Sequence, residues 1–198
     1  MSGKAERTRT FILETVAPIF NKKGYAATSL SDITEATGLT KGAVYGNFRD
    51  KEELALAAFN HNVHKLLSKI SNRLKTTSSA IQQLFILTNF YRFYGDYTKE
   101  LGGCPVLNVG VDAHMQNARL TEKVQQVIEI LQDQIEEIIK DGKVKGEIWP
   151  YLKADVFARQ IFIMIQGAVF FTVTMNDPVY LKETMDTIDK MIINQLKT

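Results

Sequence analysis

The sequence predicts an all-α protein with an N-terminal helix-turn-helix domain and a larger helical domain after it. Apolar residues recur at helical spacing along most of the 198 residues, and no stretch shows the strict alternation of a β-strand. Two short helices joined by a glycine turn are predicted at about residues 28–47, and a polar run at 76–79 follows a long helix. We therefore predict a first domain at 1–50, a connecting helix at 51–75 and a second domain at 76–198.

The first helix is predicted from about Ala5 to Lys22, because apolar residues recur there at helical spacing. Its core side chains are expected to be Ile12, Ala17, Ile19 and Phe20.

The ends of the next two helices are marked by residues that cap or stop helices. Ser29 or Ser31 can cap the first of them, and Asp32 lies in its first turn, where the helix dipole favours an anion. Gly38 suits the left-handed conformation that ends a helix, and Thr40 can cap the second helix. This order is typical of helix-turn-helix motifs, whose second helix enters the major groove of DNA.

The rest of the chain is predicted to be helical. Asp50 can cap a long fourth helix, and Asp141-Gly142 is expected to end a later one. The C-terminal helices are predicted at about 80–97, 106–114, 118–140, 155–175 and 179–196.

Charge is distributed unevenly along the chain. The net charge of the whole sequence is only +2, but twelve basic and seven acidic residues give residues 1–75 a charge of +5 and leave −3 for residues 76–198. A basic N-terminal part fits a protein of which one end meets phosphate, although an ordinary surface could carry the same charge.

The residues expected to contact DNA lie in and beside the second short helix, and they are Thr28, Thr40, Lys41, Gly42, Ala43, Tyr45, Asn47 and Lys51. Thr28 and Lys51 are predicted to contact phosphate. Lys41 can donate to guanine, and the small residues beside it let the backbone approach the bases. Tyr45 and Asn47 can hydrogen-bond phosphate. The alternative is a structural three-helix domain with solvated polar residues.

Individual residues in this region also resemble one family. The stretch from Phe11 to Leu54 resembles the N-terminal domain of the TetR/AcrR family of transcriptional regulators. Thr34 and Thr37 stand where the family more often has alanine. The matching residues are Ala17, Phe20, Gly24, Tyr25, Thr28, Ile33, the run Gly38–Gly42, Val44, Tyr45, Phe48 and the run Lys51–Leu54.

The resemblance implies a ligand-responsive, sequence-specific transcriptional regulator, and in particular a repressor that a small molecule releases from DNA. Its expected partners are double-stranded operator DNA, a small apolar or aromatic effector and a second copy of the chain, with no cofactor. The last two long helices are expected to form the dimer interface, where Gly167 and Ala168 would allow close helix approach. The alternatives are a helical ligand-binding or enzymatic protein without DNA function, and an architectural DNA-binding protein with no ligand.

An effector pocket in the second domain is expected to have apolar and aromatic walls with a few polar groups. A filled helical core would use the same residue types. The candidate lining residues are Phe85, Tyr91, Tyr94, Cys104, His114, Met115, Phe162, Met164, Gln166 and Phe170.

Signals for an enzyme or a membrane protein are weak. His61 and His64 could share a metal, and Cys104 could pair with His114, but no further ligand or orienting group is evident for either. A single cysteine fits a reducing compartment. The longest apolar run, 156–173, is short for a bilayer span and contains Arg159 and Gln166. We expect a cytoplasmic protein that is neither an enzyme nor a membrane protein.

Overall fold

The computed structural model describes residues 3–198, and within that range the chain is helical with no β-strand. This confirms the predicted all-α class. Single turns of 3₁₀ and π helix occur at Lys99–Leu101 and Ile192–Leu196. The helices are α1 Gly3–Lys23, α2 Leu30–Thr37, α3 Lys41–Tyr45, α4 Lys51–Leu74, α5 Ala80–Arg92, α6 Tyr94–Thr98, α7 Pro105–Ala113, α8 Ala118–Val144, α9 Ala154–Met175 and α10 Val179–Met191.

Contacts divide the chain into two compact units. The N-terminal unit consists of the residues up to 66 together with 98–125, and the C-terminal unit consists of 67–97 and 126–198. The long helices α4 and α8 therefore each contribute to both units. Residues 98–125, which the sequence places in the second domain, make their contacts with the first helices of the chain.

The core of the N-terminal unit forms around one face of α1. Ile12, Val16 and Phe20 recur at intervals of four residues, so they share one side of the helix, and all three are buried. Ile33 of α2 and Val44 of α3 are fully buried in the same cluster. Burial of these side chains holds the two short helices against α1, since helices of eight and five residues are too short to be stable alone.

The C-terminal unit is built on α10, which packs against both α5 and α9. Arg92 of α5 joins Asp186 and Asp189 of α10 through Nη2–carboxylate distances of 2.8 and 2.5 Å. The buried hydroxyl of Thr88 donates to Oδ1 of Asp189 at 2.6 Å. Polar contacts at partly buried positions fix the register of these two helices.

Two predicted helix ends differ from the structure. The helix expected at 80–97 stops at Arg92 and resumes as α6, because Phe93 leaves the helical conformation with a φ of −108°. The helix expected to end at Asp141-Gly142 continues to Val144. Gly142 serves close packing, since a Cβ there would lie 2.7 Å from the side chains of Ala80 and Ile148.

Helix α9 is apolar on two sides. Its inner side chains, such as Ile161 and Ile165, are buried, whereas Ile163 is 62% exposed and Phe170 is 45% exposed. Among the helices of residues 3–198, α9 alone is long and apolar enough to cross a membrane, a property that core helices of water-soluble proteins share. The sequence predicts Ala168 at a dimer interface, but the structure differs, because Ala168 is buried within its own chain.

Candidate nucleic-acid interface

The N-terminus of α2 is held by a reciprocal pair of hydrogen bonds. Oγ of Ser29 accepts from the Asp32 amide at 3.1 Å, and Oδ2 of Asp32 accepts from the Ser29 amide at 2.7 Å. Nζ of Lys23, at the end of α1, lies 2.6 Å from Oδ1 of Asp32. The hydrogen bond from Lys23, followed by those from Ser29, lowers the pKa of Asp32 from 3.8 to about 2. Of the two serines predicted as caps, Ser29 is the one that acts.

The turn between α2 and α3 has the predicted glycine and threonine roles. Gly38 adopts a φ of +67° and its amide donates to the carbonyl of Thr34. Oγ1 of Thr40 accepts from the amide of Ala43 at 3.2 Å and caps α3. The buried hydroxyl of Thr37, the last residue of α2, donates to the carbonyl of Ile33 at 2.7 Å and accepts from the amide of Leu39 in the turn at 3.3 Å. These contacts fix the direction in which α3 leaves the turn.

Helix α3 presents a basic and sterically open surface. Thr40, Lys41 and Gly42 are exposed, whereas Val44 on the opposite side is fully buried. Within residues 3–198, Lys41 takes part in no ion pair, so its ammonium group is available to an external acceptor. Ala43 and Tyr45 are half-buried beside it. The exposed edge thus combines a lysine, which can donate to guanine, with small residues beside it.

Arg9 supports the far end of α3, a role that the sequence did not suggest. Its guanidinium lies 4.0 Å from the centroid of the Phe48 ring and donates to the carbonyl of Asn47. It also lies 3.4 Å from Oε1 of Glu53 at the start of α4. The side-chain amide of Asn47 donates to the backbone carbonyl of Ala43 at 2.9 Å. One arginine of α1 therefore ties the end of α3 to the start of α4.

Lys51 lies beside the turn that follows α1. Its ammonium group lies 4.8 Å from the centroid of the Tyr25 ring and 3.4 Å from the carbonyl oxygen of Ala26. Burial raises the pKa of Tyr25, and the neighbouring carboxylates of Glu52 and Asp50 raise it further. The lysine is held near the surface by these contacts but is not neutralised by a carboxylate in the described chain.

Thr28 differs from its predicted role as a phosphate contact. It is fully buried, and its hydroxyl donates to the carbonyl of Gly24 at 2.7 Å. Its amide donates to the same carbonyl at 3.2 Å. Thr28 therefore closes the turn between α1 and α2, and its side chain does not reach the surface where DNA would lie.

A family model described as bacterial regulatory proteins of the tetR family matches residues 12–58, which hold this interface. A second model, the tetracyclin repressor-like C-terminal domain, matches residues 80–188 and so covers more than half of the chain. The chain belongs to the TetR family of transcriptional regulators.

Solved structures and curated relatives agree with the TetR assignment. A TetR-family regulator from Cytophaga hutchinsonii is 32% identical, superposes with a TM-score of 0.91 and is covered over 98% of its length by the whole of this chain. The HTH-type transcriptional regulator TtgR of Pseudomonas putida is 40% identical over 70 residues, which are 34% of this chain and 33% of TtgR. The matched stretch thus spans about a third of TtgR. The fatty acid metabolism regulator protein of Bacillus subtilis is 23% identical over 174 residues, 85% of this chain and 84% of that protein.

In this TetR-family protein, the segment 98–121 is anchored to the DNA-binding helices by polar groups. Nδ2 of Asn21 donates to the carbonyls of Leu101 and Gly103 at 2.6 and 2.9 Å. Nδ2 of Asn108 donates in return to the carbonyl of Asn21 at 3.0 Å. Oδ2 of Asp112 accepts from the Tyr25 amide at 2.6 Å. Sequence reasoning missed these contacts, since nothing local to either partner marks them.

A second anchor holds the start of α4. Oε1 of Glu52 accepts from Nδ2 of Asn117 at 3.0 Å, and Oε2 lies 2.7 Å from Nη1 of Arg119. Oδ1 of Asn117 accepts from the amide of Leu120 at 2.8 Å and caps α8. The segment therefore contacts both ends of the helix-turn-helix: the turn before it and the helix after it.

The predicted effector-pocket residues are divided between the two units. Cys104 is buried at the start of α7 in the N-terminal unit, while His114 and Met115 are exposed at the end of that helix. Met115 is 92% exposed and therefore lines no cavity, a correction to the prediction. Its φ of +66° marks the sharp turn between α7 and α8.

The remaining members of the predicted set lie in the C-terminal unit. Tyr91, Tyr94 and Phe162 are buried, and the two tyrosine rings lie 4.9 Å apart. Phe85 lines an open groove of about 720 Å³ on the outer side of α5. Met164 and Gln166 are half-buried and Phe170 is 45% exposed on α9.

Within residues 3–198, no group of three or more histidine, cysteine, aspartate or glutamate side chains could hold a metal ion. His61 is half-buried, and burial lowers its pKa. His64 is exposed.

Proposed function

We propose that this TetR-family protein is a homodimeric repressor that binds operator DNA through α3 and leaves it when a small molecule binds. The observation that carries the proposal is the exposed edge of α3, where Lys41 projects without an ion-pair partner from a helix capped by Thr40 and held by buried Val44. Residues near the start of the second helix of such a motif reach base edges. Lys41 thus lies where a side chain of this helix can donate to a guanine base in the operator.

The phosphate backbone is bound by groups beside α3. Lys51 lies next to the turn after α1, and Tyr45 and Asn47 lie at the other end of the reading helix. Contacts to phosphate set the position of the protein on DNA, whereas contacts from α3 supply sequence preference. Thr28 supports the interface without contacting DNA, because its buried hydroxyl closes the turn that precedes α2.

Dimerisation uses the outward apolar side of α9. Ile163, Phe170 and Val173 are 62%, 45% and 60% exposed in a single chain, and a Cβ at Gly167 between them would meet no atom within 4 Å. Exposed large apolar side chains along one helix favour association with a second copy, which repeats the same surface. In a dimer, two reading helices about 34–36 Å apart would enter successive major grooves.

The effector is a small molecule with apolar or aromatic character that binds in the C-terminal unit, and the protein acts in the cytoplasm. A ligand that binds the DNA-free state more tightly lowers operator affinity, and DNA lowers ligand affinity by the same factor. TetR-family membership supports this response.

A gel-shift titration with the DNA upstream of the protein's own gene tests the proposal. The protein should retard this fragment, and an unrelated fragment of equal length should compete poorly. The titration is repeated at two ionic strengths, because phosphate contacts make affinity fall with salt. Equal affinity for both fragments would contradict sequence-specific regulation, and no retardation of either would contradict DNA binding.

A further inference from the structure

An open groove of about 720 Å³ lies within the C-terminal unit, and its volume falls in the range of about 300–1,000 Å³ that small-molecule sites occupy. Its walls come from the end of α4, the α4–α5 connection, α5 and Tyr97 of α6. These residues all belong to 67–97, so the groove is formed by one compact stretch of sequence.

The long wall of the groove is an apolar face of α5 that the protein core does not use. Leu84 and Phe90 are buried on the core side of this region. Phe85 and Ile86 face the groove half-buried, and Phe93, just after the helix, is 51% exposed. A helix with apolar side chains on a second, solvent-facing side offers a surface that an apolar ligand can cover.

The end wall carries a positive charge without a compensating carboxylate. The Arg73 guanidinium lies 5.0 Å from the Tyr97 ring centroid and 6.0 Å from that of Phe90. Within residues 3–198, Arg73 forms no ion pair, and the described groove walls include no aspartate or glutamate. Arg92 provides the contrast, because both Asp186 and Asp189 neutralise it.

We propose that this groove binds a small amphipathic carboxylate, with its apolar part along Phe85, Ile86 and Phe93 and its carboxylate on Arg73. A guanidinium offers two parallel donors that match the oxygens of a carboxylate. The Tyr97 and Phe90 rings near Arg73 restrict the orientation of its guanidinium plane. Thr76 and Asn89 supply polar groups at the rim. Charge decides the ligand class, because Arg73 would repel a cationic amphiphile. Lys69, whose ammonium group lies 5.4 Å from the centroid of the Tyr97 ring, would repel it as well.

Calorimetric titration of the full-length protein with decanoate, below its micelle concentration, tests the site. Decanoate should bind once per chain, and decylamine, of equal chain length and opposite charge, should not. Arg73→Gln should weaken decanoate binding about tenfold or more, because a charge-assisted hydrogen bond is lost. Lys75→Gln is the matched control: it removes the same charge from a nearby exposed residue outside the groove walls and should leave binding unchanged.

Equal decanoate affinity in wild type and Arg73→Gln would overturn the site, as would binding of decylamine as tight as that of decanoate. Thermal melting of Arg73→Gln should match wild type, since Arg73 is exposed. Phe85→Ser offers an independent check and should weaken decanoate binding without affecting the charge.

The identity of this groove as the effector site rests on the proposed function. Decanoate should lower the affinity of the wild type for operator DNA. It should leave the operator affinity of Arg73→Gln unchanged. If decanoate binds through Arg73 but leaves operator affinity unchanged, the regulatory role fails and the binding site stands. The calorimetric titration contains no DNA and therefore tests ligand binding alone. A failure of operator binding itself would appear in the gel shift without ligand.

Discussion

The backbone amide of Tyr25 donates a 2.6 Å hydrogen bond to Oδ2 of Asp112, a residue 87 positions later in the chain. The contact lies at the turn from which α2 begins. Gly24 makes it possible, because its φ is +88° and a Cβ there would lie 2.3 Å from Oδ1 of Asp112. A carboxylate from α7 thus sets the conformation of the turn that Thr28 closes from within.

Replacing Asp112 should therefore weaken the DNA-binding unit without touching a DNA contact. Asp112→Ala removes the acceptor of the Tyr25 amide, and we expect a loss of about 1.5–3 kcal/mol in the free energy of unfolding, measured with urea. Asp112→Asn keeps an acceptor oxygen and should lose less. Asp133→Ala, at an exposed position of α8, is the control. Equal stability of Asp112→Ala and Asp133→Ala would show that the contact contributes nothing.

Local chemistry explains why much of this unit could be predicted from sequence. The caps at Ser29 and Thr40 and the stop at Gly38 depend on residues three or four positions away, so the sequence displays both partners together. The contacts of Arg9 with Phe48 and of Asp112 with Tyr25 join distant residues, and no local pattern marks them.

Burial was the other property that sequence patterns could not resolve. Sequence patterns place both Thr28 and Met115 in binding sites, yet Thr28 is fully buried and Met115 is 92% exposed. The sequence predicts a helix end at Gly142, but the helix continues to Val144, and Gly142 allows Ala80 and Ile148 to pack against it. In each case the deciding neighbour comes from another element of the fold.

Lys41→Ala should reduce sequence preference. If Lys41 donates to a base, its loss should decrease operator affinity by about 1–3 kcal/mol and relax the preference at the base pair it reads. Competition gel shifts with single-base operator variants measure this. Lys140→Ala, a lysine of α8 paired with Glu136 and Glu137, is the control and should bind operator normally. An unchanged preference in Lys41→Ala would contradict the placement of α3 in the major groove.

Lys51→Ala should instead weaken binding to all sequences by a similar factor. Loss of one phosphate contact should reduce the slope of log affinity against log salt by about one unit. Because Lys51 also lies over the Tyr25 ring, Lys51→Arg serves as the control that keeps both the charge and the ring contact. A salt slope equal to that of the wild type would exclude Lys51 from the phosphate contacts.

The cap of α2 should weaken in acid. The pKa of Asp32 is lowered from 3.8 to about 2 in the folded protein, so its contribution is complete above pH 3.8 and is lost as the pH falls towards about 2. Asp32→Asn lacks this contribution at every pH. The difference in melting temperature between wild type and Asp32→Asn should therefore be constant above pH 5 and shrink below pH 3.8. A difference that stays constant down to pH 2 would show that the Asp32 charge does not stabilise the fold.

A charge placed on each side of α9 should separate folding from dimerisation. Ile163 is 62% exposed in a single chain, so Ile163→Glu should keep the helical circular dichroism of the wild type but sediment as a monomer. Ala168 is 6% exposed, so Ala168→Glu buries a charge inside the chain and should destabilise the fold itself by about 3–5 kcal/mol. Sedimentation velocity over a range of protein concentrations distinguishes the two effects. Helix α9 would be excluded from the dimer interface if Ile163→Glu remained a dimer with the dissociation constant of the wild type.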